Sequence, residues 1–172
     1  LDALADRAAG ALAALGLRAG DRLAVSLPND LPMVAAFHGA MRLGVVWVGV
    51  NSALAPPEKA HILADCSAAA LLVDPPGAAS LAGHPDIRLV GPGDWDAAVA
   101  ASSGRPDAPA PDPLAPAAIA YTSGTTGFPK GAVHCQAGLI LPGAATVARR
   151  GWGPALRKGD SLPLTILNML TL

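Results

Sequence analysis

Residues 121–134 read YTSGTTGFPKGAVH, and every position from Thr122 to Gly127 is Ser, Thr or Gly. Of the 6 threonines in the chain, 3 stand here, at Thr122, Thr125 and Thr126, and Lys130 follows shortly after. The hydroxyls of Thr122, Ser123, Thr125 and Thr126 are donors that rotate to meet an oxygen. Gly124 and Gly127 accept positive φ, so neighbouring backbone N–H groups can converge on one point. Pro129 holds Phe128 extended and stiffens the chain just before the Lys130 ammonium. This set suits a polyphosphate. A hydrogen bond to a charged group contributes roughly 1.5–3 kcal/mol, so three or four hold a triphosphate tail in register. The spacing is not that of the Walker A loop, in which Lys directly follows the second Gly, and no GxGxxG follows the early strands. A flexible turn with a solvated lysine has the same composition, and the residues alone leave that alternative open.

Such a loop needs rigid elements on both sides. AAIAYT (117–122) reads as a strand that delivers the chain into it, and GAVHC as the second strand of a hairpin. A helix is expected from about Gln136 to Arg149, bent or delayed by Pro142. Upstream, Leu1, Leu4, Ala8, Leu12 and Leu15 share one helical face, and Gly16 is a natural stop. DRLAVSL alternates Leu23, Val25 and Leu27 as a strand. Asn29 and Asp30 can cap a helix over Leu31–Leu43 that ends at Gly44. VVWVGV (45–50) and AALLVD (69–74) are apolar runs suited to strands buried on both faces. Between them Pro56 and Pro57 open a helix that reaches about Cys66. IRLV (87–90) is a further strand candidate. This alternation predicts an α/β fold, a partial, wound, mostly parallel sheet flanked by helices. GRPDAPAPDPLAP (104–116) holds five prolines and reads as a stiff extended connector. It divides an α/β portion, 1–103, from the strand, loop and following segment, 117–172, of the same large domain.

Composition excludes several classes. With net charge −1 and pI about 6.4 there is no basic bias, and nucleic acid is not an expected partner. Hydrophobic residues make up 52% of the chain and aromatics 3%, so the core is expected to be built from small side chains. Cys66 and Cys135 lack CxxC or Cys/His ligand spacing; they read as reduced thiols of a cytoplasmic protein, with no metal site. Leu1–Gly16 carries Asp2, Asp6 and Arg7, unlike a signal peptide. The uncharged stretch 131–148 contains His134, Gln136, Pro142 and three glycines, too polar and broken for a transmembrane span. His38, His61, His84 and His134 are scattered and read as structural or surface residues, although His134 lies near enough to the loop to approach a nucleotide. Trp47 reads as packing, Glu58 and Lys59 as first-turn charges, and Asp107 and Asp112 as solvated. Arg149, Arg150, Arg157 and Lys158 read as a solvated basic face.

YTSGTTGFPKGAVH resembles the phosphate-binding signature of the AMP-forming, adenylate-forming superfamily. That group includes acyl-CoA synthetases, aryl-CoA ligases, luciferase-like enzymes and the adenylation domains of peptide synthetases. GLRAGDRLAVSLPND and AFHGAMRLGVVWVGVNSALAPPEKAHILADCSAAALLVD are similar in order and spacing to the family's early N-terminal domain, so the resemblance covers about residues 1–165. It implies an incomplete piece of that N-terminal domain. It also implies activation of a small-molecule carboxylic acid by ATP with Mg2+, giving an acyl-adenylate and pyrophosphate, with coenzyme A as the expected acceptor. Thr122, Ser123, Gly124, Thr125, Thr126, Gly127 and Lys130 would then wrap the β- and γ-phosphates. No catalytic acid, base or nucleophile is assigned within this chain.

The chain departs from the family in two ways. Relatives are much longer, so the remainder of a ligase chain is expected as partner and these 172 residues are expected not to turn over alone. Relatives often read LPLFH near this end, whereas here Leu162, Pro163 and Leu164 are followed by Thr165 and Ile166. The alternative from another class is a non-catalytic truncated product or packing module. A kinase or NTPase of another fold would need the Walker pattern that is missing.

Overall fold

The computed structural model describes residues 1–81, 87–122, 129–157 and 164–165. The elements are α1 (Asp2–Ala14), β1 (Arg22–Ser26), α2 (Leu31–Leu43), β2 (Val46–Gly49), α3 (Pro56–Asp65), β3 (Ala70–Val73), α4 (Pro75–Ser80), β4 (Arg88–Val90), α5 (Pro92–Ala101), β5 (Pro116–Thr122), β6 (Lys130–Cys135) and α6 (Gln136–Arg150). The strands form one sheet in the order β4-β3-β1-β2-β5-β6. Every neighbouring pair is parallel except β5 and β6, which form an antiparallel hairpin. The chain on either side of the 104–116 connector therefore enters the same sheet, through the pairing of Trp47 with Ala118.

Strand alternation sorts the core into two layers. Leu23, Val25, Trp47, Leu72 and Ala118 pack with α1, α2, α5 and Leu139 of α6. Ala24, Val48, Leu71 and Val73 pack on the other side with Ile62 and Leu63 of α3 and with Leu81. Both faces of β1 are covered, so Ala24 and Ser26 are as buried as the Leu23–Val25 face that the alternation pointed to. Small side chains let the layers close tightly. Ala5, Ala8, Ala9 and Ala11 of α1 are fully buried, and a Cβ on Gly39 of α2 would lie 2.7 Å from that of Ala8. Trp47 and Trp95 are the largest residues of this core, and Trp47 is set edge-on to Phe37 with ring centroids 5.4 Å apart.

Local signals act where the sequence places them. Asp30 caps α2 by accepting from the Met33 N–H at 3.3 Å, and Gly44 closes that helix in the left-handed region at φ 76°. Glu58 accepts from the Ala55 N–H at 2.9 Å at the start of α3. Two helices, α4 and α5, carry no expectation from sequence. In α5 the Trp95 and Val99 side chains, one turn apart, are buried, and the Val99 carbonyl accepts from Arg7 Nε at 3.0 Å. A pair of buried residues in ten is too short a period to read in advance. Lys59 stands in the first turn of α3 as read, yet it is only 6% exposed. It shares a helical face with Ile62 and Leu63, so its long apolar stem is covered where α3 lies on the sheet.

Candidate functional site

In open α/β sheets, ligands bind beyond the carboxyl ends of the parallel strands. β5 ends there at Thr122, and the hairpin partner of Thr122 is Lys130. Both residues are exposed. The two ends of the hydroxyl-rich segment thus face one another across the last rung of the hairpin, as a strand–loop–strand reading requires. Ser123, Gly124, Thr125, Thr126 and Gly127 lie outside the described residues.

Both flanks of that segment are tied to one helix. The Tyr121 hydroxyl donates to Asp65 Oδ2 at 2.5 Å. The Pro129 carbonyl accepts from His61 Nε2 at 3.1 Å, which places the proton on that nitrogen. His61 and Asp65 are four residues apart on α3 and lie on the same side of the helix. Burial, and then the hydrogen bond to Asp65, push the Tyr121 phenol well above its ordinary value, so it stays a neutral donor. Across the hairpin from Tyr121 is Gly131. A Cβ there would lie 2.7 Å from Ile119 Cγ2 and 3.0 Å from Tyr121 Cζ, so the Tyr121 ring needs a residue without a side chain opposite it.

The carboxyl ends of β1 and β2 carry a second feature. Asn29 Oδ1 accepts from the Leu164 N–H at 2.8 Å, and a Cβ on Gly49 would meet the Thr165 carbonyl at 2.2 Å. Leu164 and Thr165 therefore lie over these strand ends. The Ser26 and Thr165 hydroxyls are buried there with no hydrogen-bond partner among the described residues. The N-terminus of α2 is not available to an anion, because Asp30 already occupies it.

The remaining polar candidates lie elsewhere. His38 sits edge-on to Phe37, and burial with Arg42 nearby lowers its pKa. His134 pairs with Ala118 within the hairpin, and His84 is outside the described residues. Arg149 and Arg150 occupy the last turn of α6, where cations favour the helix dipole, and Arg150 lies 5.1 Å over the Trp152 ring. Arg157 donates to the Pro154 and Leu156 carbonyls, and Lys158 is outside the described residues. Asp107 is exposed; Asp112, also exposed, accepts from the Leu114 N–H at 2.8 Å. Among the described residues no group of three His, Cys, Asp or Glu could hold a metal, and no helix is long and apolar enough to cross a membrane. A cleft of about 330 Å³ opens beside Arg22, Val46 and Pro116. These begin β1, β2 and β5, so the cleft is at the amino ends of the strands, away from the hairpin mouth. Arg22 is moreover engaged by the Cys66 and Ser67 carbonyls at 2.7 and 2.6 Å.

Sequence reasoning missed the α3 contacts. It read His61 as structural or surface and gave Asp65 no role. Their partners are 68 and 56 residues away, a separation that leaves no local signature.

Comparison with known proteins matches residues 1–169 to the AMP-binding enzyme family. A long-chain-fatty-acid–CoA ligase of Mycobacterium tuberculosis is 38% identical over 145 residues, covering 78% of this chain and 28% of that protein. A 3-hydroxybenzoate–CoA ligase of an Aromatoleum species is 33% identical over 156 residues, covering 82% of this chain and 29% of that protein. Among solved structures, the o-succinylbenzoate coenzyme A synthetase of Bacillus subtilis in complex with ATP and magnesium ion superposes with TM-score 0.83 at 26% identity. That match covers 98% of this chain and 46% of the synthetase. The chain thus spans under a third of the length of the two curated relatives.

Proposed function

Because this chain belongs to the AMP-binding enzyme family, we propose that its 122–130 hairpin loop holds the β- and γ-phosphates of ATP during activation of a carboxylic acid. The observation that carries this reading is the direct pairing of Thr122 with Lys130 at the carboxyl end of a parallel sheet. Exposed and opposed, a hydroxyl and an ammonium there can address one phosphate tail from two sides. Ser123, Gly124, Thr125, Thr126 and Gly127 supply the remaining hydroxyl and amide donors in this proposal.

In the proposed reaction a carboxylate oxygen of the substrate attacks the α-phosphorus of ATP, and the bond to the bridging oxygen breaks. Negative charge grows on the departing pyrophosphate, and Lys130 with the loop donors stabilises it in place. Mg2+, when bound, neutralises phosphate charge. Coenzyme A as the acyl acceptor is supported by the CoA-ligase relatives. Those relatives act on a long-chain fatty acid and on 3-hydroxybenzoate, which supports the carboxylic-acid class and nothing narrower. Since the chain spans under a third of their length, the full two-step reaction is proposed for a polypeptide of the relatives' length, with these residues as its phosphate-binding part. Residues 1–103 and 117–172 are proposed to be portions of one large domain linked through 104–116, and the free Cys66 and Cys135 support a cytoplasmic setting.

Calorimetric titration of this chain with MgATP tests the reading. Lys130→Ala is expected to weaken binding about 10- to 100-fold, the loss of one charged hydrogen bond. An unmoved affinity, or no binding by the wild type, overturns it. One observation favours a packing module instead: Val133, Ile140 and Leu141 are 61–65% exposed on β6 and α6. Self-association without MgATP binding would favour that second reading.

A further inference from the structure

Resting on the phosphate-binding role just proposed, we propose that α3 is a brace for the phosphate loop. In it His61, Asp65 and Tyr121 act as positioning residues that hold the mouth of the hairpin at a set width. Among the described residues β6 pairs only with β5, so the sheet itself fixes just one side of the hairpin. The other constraint comes from α3. Asp65 takes the Tyr121 hydroxyl on the β5 flank, and His61 takes the Pro129 carbonyl on the β6 flank. One turn of one helix therefore grips the end of β5 at Tyr121 and the approach to β6 at Pro129, on either side of the hydroxyl-rich segment. Gly131 completes the arrangement, since its bare Cα lets the Tyr121 ring lie across to reach Asp65.

None of these contacts uses the Thr122 hydroxyl or the Lys130 ammonium, so the brace leaves the phosphate-facing groups available while fixing their backbone. α3 is itself anchored through Ile62 and Leu63 in the core beneath the sheet. A displacement of α3 would move both loop ends together. Donors aimed at a phosphate tail are only as good as their placement, and a shift of about 1 Å suffices to weaken such a site.

The test measures affinity for MgATP and for inorganic tripolyphosphate by calorimetry, well below the melting temperature of each variant. Tyr121→Phe keeps the ring and removes only the hydroxyl. His61→Ala removes the donor to Pro129, and His61→Gln restores an amide donor. Tyr121→Phe and His61→Ala are each expected to weaken both ligands about fivefold, the loss of one ordinary hydrogen bond, and His61→Gln to recover most of the loss. Arg7→Ala removes the donor to the Val99 carbonyl between α1 and α5, away from the hairpin, and should lower the melting temperature while leaving both affinities unchanged. Wild-type affinity in both Tyr121→Phe and His61→Ala overturns the brace. If Lys130→Ala still loses binding in that case, the phosphate reading stands without it. If the wild type binds neither ligand, both fall.

Discussion

The Cβ that Gly131 lacks would sit 3.0 Å from Cζ of Tyr121, its partner across the β5–β6 hairpin, and closer still to Ile119. A glycine in an edge strand is ordinarily a weakness, since it packs nothing and loses more entropy on folding. Here it makes room for an aromatic ring. Gly131→Ala gains a little from a stiffer unfolded chain but must push the Tyr121 ring and the Ile119 methyl aside. The expected net loss is about 1–3 kcal/mol, typical of overpacking, read as a lower urea midpoint with unchanged m-value. A stability within about 0.5 kcal/mol of wild type would show that the ring does not need this space.

The two cysteines should differ sharply in reactivity. Burial pushes the Cys66 thiol up to about 11, and its Sγ also approaches the Leu63 carbonyl. At pH 8 roughly 1 in 1,000 of such thiols is ionised, and the thiolate is the reactive form. Cys135 is partly exposed and accepts from the Gly138 N–H at the start of α6. Iodoacetamide at pH 8 is expected to label Cys135 first, with Cys66 labelled only in denaturant. Equal labelling of both in the native protein would contradict the burial of Cys66.

His38 makes stability depend on pH. Burial first, and the Arg42 guanidinium second, hold its imidazole below the ordinary 6.5. Arg42 is held at that spot by its ion pairs with Asp2 and Asp6. The folded state therefore binds the proton less well than the unfolded chain. As pH falls below 6.5 the unfolded state takes up protons first, so this group's contribution is present above that value and lost on acidification. Comparing denaturation midpoints from pH 7.5 to 5 should show a smaller acid-side decline in His38→Asn than in the wild type. Parallel curves would assign the decline to other groups.

Much of the fold was legible because its signals are local. Asp30 and Gly44 bound α2, Gly16 follows α1, and Pro56 and Pro57 open α3, each through a preference of two or three neighbouring residues. The apolar runs at Val46–Gly49 and Ala70–Val73 announce strands covered on both faces. The hairpin was legible too, as strand signals either side of a Gly- and Pro-containing segment. α5 was not, because Trp95 and Val99 become a buried face only once α5 packs on α1 and the sheet. The burial of Lys59 was not legible either, because a charge near a helix start says nothing about which way that helix rolls onto a sheet.

By itself the sequence determined the donor chemistry of residues 122–130 and the alternation of helices and strands, since residue type and short-range periodicity carry both. Only the tertiary structure decided that Thr122 and Lys130 are rung partners, that Gly131 lies under the Tyr121 ring, and that His61 and Asp65 grip the two flanks of the loop. The His61 and Asp65 contacts join residues 68 and 56 positions apart. They exist because the chain crosses from β2 to β3 over one face of the sheet and returns to β2 with β5, a path set by burying both faces of the central strands rather than by any neighbouring pair of residues.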